Sequence, residues 1–134
     1  MPESLPALPG GCLCGEVRYE AAPTHRNGYY CHCRMCQLAF GNTRAAYFNL
    51  RKDQVRWLTP PPSWYASSKI ARRGFCGRCG TPLTFQGTET PGEIDITTAS
   101  LDDPNAVPPK DHTRTSSRLS WVRLADGLPE HREA

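Results

Sequence analysis

The chain has 134 residues, a net charge of +3, seven cysteines, thirteen prolines and eleven glycines. Its apolar runs are too short to cross a bilayer, and its N-terminus has three prolines and no basic segment, unlike a secretory signal. We therefore expect a cytoplasmic protein with no membrane partner. The mild, scattered charge gives no reason to expect a nucleic-acid partner, and nothing in the sequence predicts an oligomeric state.

The first half of the chain contains short strand patterns. Residues 15–20 alternate polar and apolar side chains, and Asn27 and Gly28 form a turn signal before a strand at 29–31. Residues 35–40 are the one segment expected to be helical. Residues 45–50 and 55–58 are then predicted to pair as a hairpin, with the charged residues 51–54 as its connection.

The second half continues in the same way. Three prolines at 60–62 end the predicted hairpin because proline cannot join a central ladder. Further short strands are expected at 64–65, 70–75, 82–85 and 93–97. The sequence therefore predicts a mainly β fold with little helix: one compact, zinc-stabilised domain of short antiparallel strands at 11–129, with flexible tails at 1–10 and 130–134.

The cysteines carry the strongest chemical signal. Cys31, Cys33 and Cys36 lie within six residues and can fill three positions of a tetrahedral zinc site. The other four form two short pairs, Cys12 with Cys14 and Cys76 with Cys79. A disulfide framework is the alternative, but an odd cysteine count and a reducing compartment favour metal.

Spacing ranks the ways in which these cysteines can share metals. Glycines within and after the pair at 76 and 79 suit a zinc-ribbon-like knuckle, and the pair at 12 and 14 would complete a closed, structural site. The competing assignment joins Cys12 and Cys14 to the cysteines at 31 and 33. It leaves Cys36 with the last pair and so divides a cluster already arranged to chelate.

Five sequence blocks follow one another along most of the chain: GCLCGEVRY at 11–19, CHCRMC at 31–36, FCGRCGTPL at 75–83, IDITTASLDD at 94–103, and SSRLSW at 116–121 with ADGLP at 125–129. In these blocks the sequence resembles the glutathione-dependent formaldehyde-activating enzymes and their relatives, which include the domain of centromere protein V. The resemblance implies a mostly antiparallel β domain with two zinc ions, a structural one on Cys12, Cys14, Cys76 and Cys79 and a catalytic one on Cys31, Cys33 and Cys36.

The chemistry of a three-thiolate site points in the same direction. Zn²⁺ with three thiolates has a formal charge of −1, so it is a weak activator of water but can accept a further thiol and deprotonate it. The resemblance implies a carbon–sulfur lyase that adds a thiol such as glutathione to a small aldehyde, or releases it. The alternative is a zinc-stabilised binding module in which both zincs are structural and nothing is catalysed.

Several other side chains are candidates for the site. Arg34 and Gln37 are expected to bind substrate, and Asp95, which faces away from Ile94 and Ile96 on its strand, is the candidate for proton transfer. Each could equally be an ordinary solvated residue. Alternation turns His32 away from the metal; His25 and His112 are expected in exposed loops, Trp121 to pack on the sheet, and Arg72, Arg73 and Arg78 to balance the four-thiolate site.

Overall fold

Short β-strands make up most of the structure, a computed structural model that describes residues 6–134. The mainly β fold with little helix is therefore confirmed. The strands are β1 (Leu8–Gly11), β2 (Arg18–Ala21), β3 (Asn27–Cys31), β4 (Ala45–Arg51), β5 (Val55–Trp57), β6 (Ser63–Ser68), β7 (Ala71–Phe75), β8 (Pro82–Gly87), β9 (Glu93–Thr97) and β10 (Pro109–Thr113). The helices are α1 (Arg34–Phe40) and the 3₁₀ turns Lys52–Gln54, Thr98–Ser100, Pro104–Ala106 and Thr115–Ser117.

The strands form two sheets. The larger has seven strands in the order β10-β3-β4-β9-β8-β7-β6, and the smaller has three in the order β1-β2-β5. Neighbouring strands are antiparallel except for β10, which runs parallel to β3 at the edge of the larger sheet. Strand β10, which comes just before the C-terminal segment, therefore lies beside β3, the strand that ends at Cys31.

The main hydrophobic core is formed by residues of both sheets. Ile94 and Ile96 of β9 pack with Phe48 of β4 and with Tyr19 and Ala21 of β2. Because side chains alternate along a strand, Asp95 and its neighbours in register point to the opposite face of the larger sheet. One face of that sheet is therefore committed to the core, and the other is available for a site.

The helix α1 is short and depends on its surroundings. Cys33 caps its start, with the sulfur accepting the backbone N–H of Cys36 at 3.3 Å, and Gly41 ends it at φ 59°, a left-handed conformation that glycine adopts without strain. Seven residues are too few for a helix to be stable alone in water. Packing of Cys36 against β3 and β4 therefore holds it in place.

Three expectations about the fold differ from the structure. Strand β5 does not pair with β4 as a hairpin; it pairs with β2 in the smaller sheet, because the turn at 52–54 carries the chain from one sheet to the other. Strand β1 begins at Leu8, so the paired part of the chain starts before residue 11, and residues 1–5 lie outside the described part. Trp121 is 68% exposed and does not pack on the sheet.

The segment at 130–134, expected to be a flexible tail, is hydrogen-bonded to the rest of the domain. His131 N–H donates to the carbonyl of His112 at 2.8 Å, and Arg114 N–H donates to the carbonyl of Ala134 at 3.0 Å. Glu130 also forms a parallel bridge with His112. The C-terminal residues thus extend the edge formed by β10.

Candidate metal centres and active site

Four cysteines from two distant parts of the chain form one cluster. Cys12 and Cys14 lie in the loop after β1, and Cys76 and Cys79 lie in the turn after β7. The four sulfurs are all within 4.8 Å of one another, with 3.6 Å between Cys12 and Cys14 and 3.8 Å between Cys14 and Cys76. Zinc–sulfur bonds of about 2.3 Å in a tetrahedron require sulfurs about 3.8 Å apart. The donor set and its spacing therefore fit Zn²⁺.

Local hydrogen bonds surround the sulfurs of Cys76 and Cys79. The Cys76 sulfur accepts the backbone N–H groups of Arg78 and Cys79, each at 3.4 Å. Hydrogen bonds from Thr81 lower the pKa of the Cys79 thiol to about 5. The turn itself depends on Gly80, whose φ of +82° lies in the left-handed region. With four sulfur donors, this site can complete a tetrahedron without any further ligand.

The remaining three cysteines form a second, separate cluster. Cys31 is the last residue of β3, Cys33 caps α1, and Cys36 lies in the first turn of that helix. Their sulfurs are within 4.8 Å of one another, and among the described residues no fourth histidine, cysteine or carboxylate joins them. The competing assignment, which divides this cluster between two metals, is not what the structure shows. The geometry fits a metal held by three sulfurs with one position open.

The three-cysteine cluster opens into a cleft with a volume of about 890 Å³. The cleft lies on the face of the larger sheet that is turned away from the core. Its walls are mainly apolar. Among its cationic side chains, Arg34 directly follows Cys33 in the sequence, and Arg73 contacts the Cys36 sulfur. The side chains in its walls include Tyr29, Met35, Tyr47, Asn49, Ile70 and Phe85.

Arg73 is the residue that sequence reasoning misplaced. We expected it to balance the four-cysteine site, but its guanidinium donates to the Cys36 sulfur at 3.6 Å and to the Tyr47 hydroxyl at 2.8 Å. Burial is the largest single influence and lowers the pKa of Arg73, but Tyr47 and the sulfurs of Cys36 and Cys33 together raise that pKa above its usual value. Arg72, by contrast, stacks on Trp64 with 3.8 Å between guanidinium carbon and ring centre.

The register of the sheet explains why Arg73 reaches the cleft. Asp95 is paired with Phe85 on the adjacent strand, and Phe85 is paired with Arg73 on the next. Paired residues share a face of the sheet, so the alternation that turned Asp95 away from the core also turns Arg73 toward the cleft. The sequence of one strand shows only that alternate side chains share a face of the sheet. The pairing of the strands decides which of the two faces lines the cleft.

The two predicted substrate-binding residues differ in their surroundings. Arg34 lines the cleft and donates to the side-chain carbonyl of Gln37 at 3.1 Å. Gln37 is buried and does not line the cleft; its amide donates to the backbone carbonyls of His32 at 2.8 Å and Ser117 at 3.1 Å. Arg34 therefore faces the cleft, whereas Gln37 holds the loop that carries Cys31, Cys33 and Cys36.

Asp95 is on the predicted face of its strand but lies behind the cleft wall. Its two oxygens accept hydrogen bonds from the Tyr29 hydroxyl and the Asn49 amide, both at 2.7 Å, and both of these residues line the cleft. Burial raises the pKa of Asp95, and the two hydrogen bonds partly offset this. Burial and the nearby carboxyl group also raise the pKa of Tyr29.

A buried chain of side chains lies behind the chelating loop. His112, expected in an exposed loop, is fully buried in β10 because the segment at 129–131 pairs alongside it. Its Nε2 is 2.8 Å from a carboxylate oxygen of Asp126, and its Nδ1 is 2.9 Å from Nε2 of His32. A carboxylate can only accept, so His112 donates to Asp126 through Nε2, and in its neutral form it accepts from His32 through Nδ1. Burial lowers the pKa of His32 to about 4, which keeps it neutral.

None of the helices in residues 6–134 has the length and apolar composition that a membrane-spanning helix requires.

A family model of the glutathione-dependent formaldehyde-activating enzyme matches residues 7–117. An uncharacterized lyase of Schizosaccharomyces pombe is 32% identical over 84 residues, which are 63% of this chain and 61% of the relative, so the match spans less than two thirds of that protein. A crystal structure of a Rhodobacter sphaeroides protein shares the fold, with a TM-score of 0.61 and 21% identity, covering 92% of this chain and 99% of the other. The family model covers most of this chain, and the two cysteine clusters agree with it. The chain therefore belongs to the glutathione-dependent formaldehyde-activating enzyme family.

Proposed function

We propose that the protein is a zinc-dependent carbon–sulfur lyase that adds a small thiol to a small aldehyde, and reverses that addition. Glutathione is the first candidate for the thiol and formaldehyde for the aldehyde, following the family. The observation that carries the proposal is the contrast between the two clusters. Four sulfurs close one site, whereas three sulfurs line a cleft and have no fourth protein ligand among the described residues.

Two zinc ions per chain are proposed, one in each cluster. Cys12, Cys14, Cys76 and Cys79 would hold the structural ion, and its binding energy would contribute to folding because the cluster ties the loop after β1 to the turn after β7. Zn²⁺ held by Cys31, Cys33 and Cys36 would supply a coordination position for the sulfur of a thiol and would lower the pKa of that thiol. We place the protein in the cytoplasm, where thiols stay reduced.

The side chains around the cleft have complementary tasks in this proposal. Apolar walls keep water from a reactive aldehyde, and Arg34 can meet a carboxylate of the thiol compound. Arg73 offsets the negative charge of the three sulfurs through its contact with Cys36. Asp95 lies behind the cleft wall and accepts a hydrogen bond from the Tyr29 hydroxyl. In this proposal it exchanges a proton with the cleft through Tyr29.

Native mass spectrometry on protein purified without added metal tests the metal and thiol parts of the proposal. We expect two zincs per chain and an adduct with glutathione. S-methylglutathione, which has the same carboxylates but no free thiol, is the matched control and should give no adduct. Cys36→Ser should lose the glutathione adduct while the four-cysteine site keeps its zinc.

The rate of the reaction tests the catalytic part. The interconversion of glutathione plus formaldehyde with S-(hydroxymethyl)glutathione can be followed by NMR exchange, with and without protein. Acceleration that depends on Cys36 supports the lyase. Two bound zincs with neither a thiol adduct nor acceleration would instead support the binding module.

A further inference from the structure

The hydroxyl of Tyr47 has a proton with no acceptor in the described part of the chain. Tyr47 lies in the middle of β4, lines the cleft, and is only 3% exposed. Its oxygen accepts one hydrogen bond, from Arg73 at 2.8 Å, and no group among residues 6–134 accepts from it. Because a phenol is both a donor and an acceptor, this leaves one donor unused on the cleft wall.

The ring of Tyr47 is held firmly in position. It packs between Tyr29, Phe40 and Phe85, with ring centres 5.9, 5.3 and 6.2 Å away. Arg73 fixes the oxygen from the side of the sulfur cluster. The phenol oxygen therefore cannot move away without disturbing an aromatic cluster.

The neighbouring tyrosines do not offer such a proton. Tyr29, directly opposite Tyr47 on the adjacent strand, donates its hydroxyl proton to Asp95 at 2.7 Å. Tyr30 points to the other side of its strand, where its ring stacks on His112. Of these three tyrosines, Tyr47 is thus the one that can donate to a bound molecule without breaking an existing hydrogen bond.

Arg73 places this proton close to the sulfur cluster. One guanidinium contacts both the Tyr47 oxygen and the Cys36 sulfur, so the phenol and the sulfurs are neighbours across a single group. In a thiol–aldehyde adduct the oxygen is two bonds from the sulfur. A substrate whose sulfur lies against the three cysteines therefore carries its oxygen within reach of Tyr47.

We propose that Tyr47 is the proton donor to the aldehyde oxygen, and that Arg73 positions the phenol and stabilises the phenolate formed when the proton leaves. This inference rests on the proposed function. In the forward direction the electron pair of the substrate thiolate forms the carbon–sulfur bond, and the carbonyl π electrons move to oxygen. The oxygen takes the Tyr47 proton. After the product has left the cleft, solvent returns to Tyr47 the proton that the thiol lost. No oxidant or reductant is needed, and the reverse steps release the aldehyde.

The test compares Tyr47→Phe with wild type in the NMR exchange assay described above. The variant keeps the ring and its packing, so zinc per chain and the dissociation constant for glutathione should stay within about twofold. Loss of a general acid should lower kcat by about 10²–10⁴-fold with little change in KM. Tyr65→Phe, on the exposed strand β6, is the matched control and should react like wild type.

Arg73→Lys provides a second, independent measurement. Lysine keeps the charge but cannot contact Tyr47 and Cys36 together through a planar fork, so we expect a smaller fall in kcat than for Tyr47→Phe. A Tyr47→Phe variant with wild-type kcat overturns the inference. So does a variant that loses zinc or glutathione binding in parallel with its rate, since that is a structural effect. If wild type itself gives no acceleration, the proposed function fails first, and this inference fails with it.

Discussion

Replacing His112 by phenylalanine removes both ring nitrogens of a fully buried side chain while keeping a ring that can stack on Tyr30. The Nε2–H of His32 then loses its acceptor, and His32 is itself fully buried, so water cannot replace the lost partner. A buried polar group left unsatisfied costs about 1–3 kcal/mol. Asp126, which is exposed, regains water and adds little.

This cost converts to a measurable change in melting temperature. At about 2.1 cal/mol/K per residue, a chain of 134 residues unfolds with an entropy of about 0.28 kcal/mol/K. The expected decrease in Tm is therefore about 4–11 °C, measured by calorimetry at a fixed free zinc concentration. His25→Phe, at an exposed position, is the control and should change Tm by less than about 2 °C. A His112→Phe protein that melts with wild type would refute the assignment of a stabilising role to this hydrogen-bonded chain.

Three further predictions concern packing, pH and metal. Gly74→Ala places a Cβ against the methyl group of Thr84, and overpacking of about 1–3 kcal/mol should lower Tm; an unchanged Tm would contradict the packing. Burial raises the folded-state pKa of Asp95, so wild type should lose stability relative to Asp95→Asn as the pH rises from about 4, and thermal melts showing a pH-independent difference would count against it. Cys79→Ser and Cys33→Ser should each lose one zinc by mass spectrometry. Cys79→Ser should lower Tm more, because its cluster joins distant segments, and equal decreases in Tm would argue against a structural site.

The cysteine clusters could be predicted from the sequence because chelation is a local property of spacing. Three ligands within six residues, and two pairs each separated by one or two residues, have few ways to share metals. The strands at 63–97 could be predicted for a similar reason, since alternation and turn residues act over a few positions.

Properties that depend on distant pairing could not be predicted in this way. Strand β5 pairs with β2 although β4 is nearer in the chain. Burial of His112 depends on Asp126 and on the C-terminal segment, and the place of Arg73 depends on the register of three strands. Each of these is set by tertiary packing, which a single segment does not encode.

The pairing of the C-terminal residues has a practical consequence for handling the protein. Ala134 lies in the wall of the cleft, and its carbonyl is bonded to Arg114, another wall residue. Any polypeptide joined after Ala134, such as an affinity tag, would therefore emerge at the rim of the cleft. A purification handle is better placed at the N-terminal end, because β1 (Leu8–Gly11) belongs to the smaller sheet, which packs against the core face of the larger sheet.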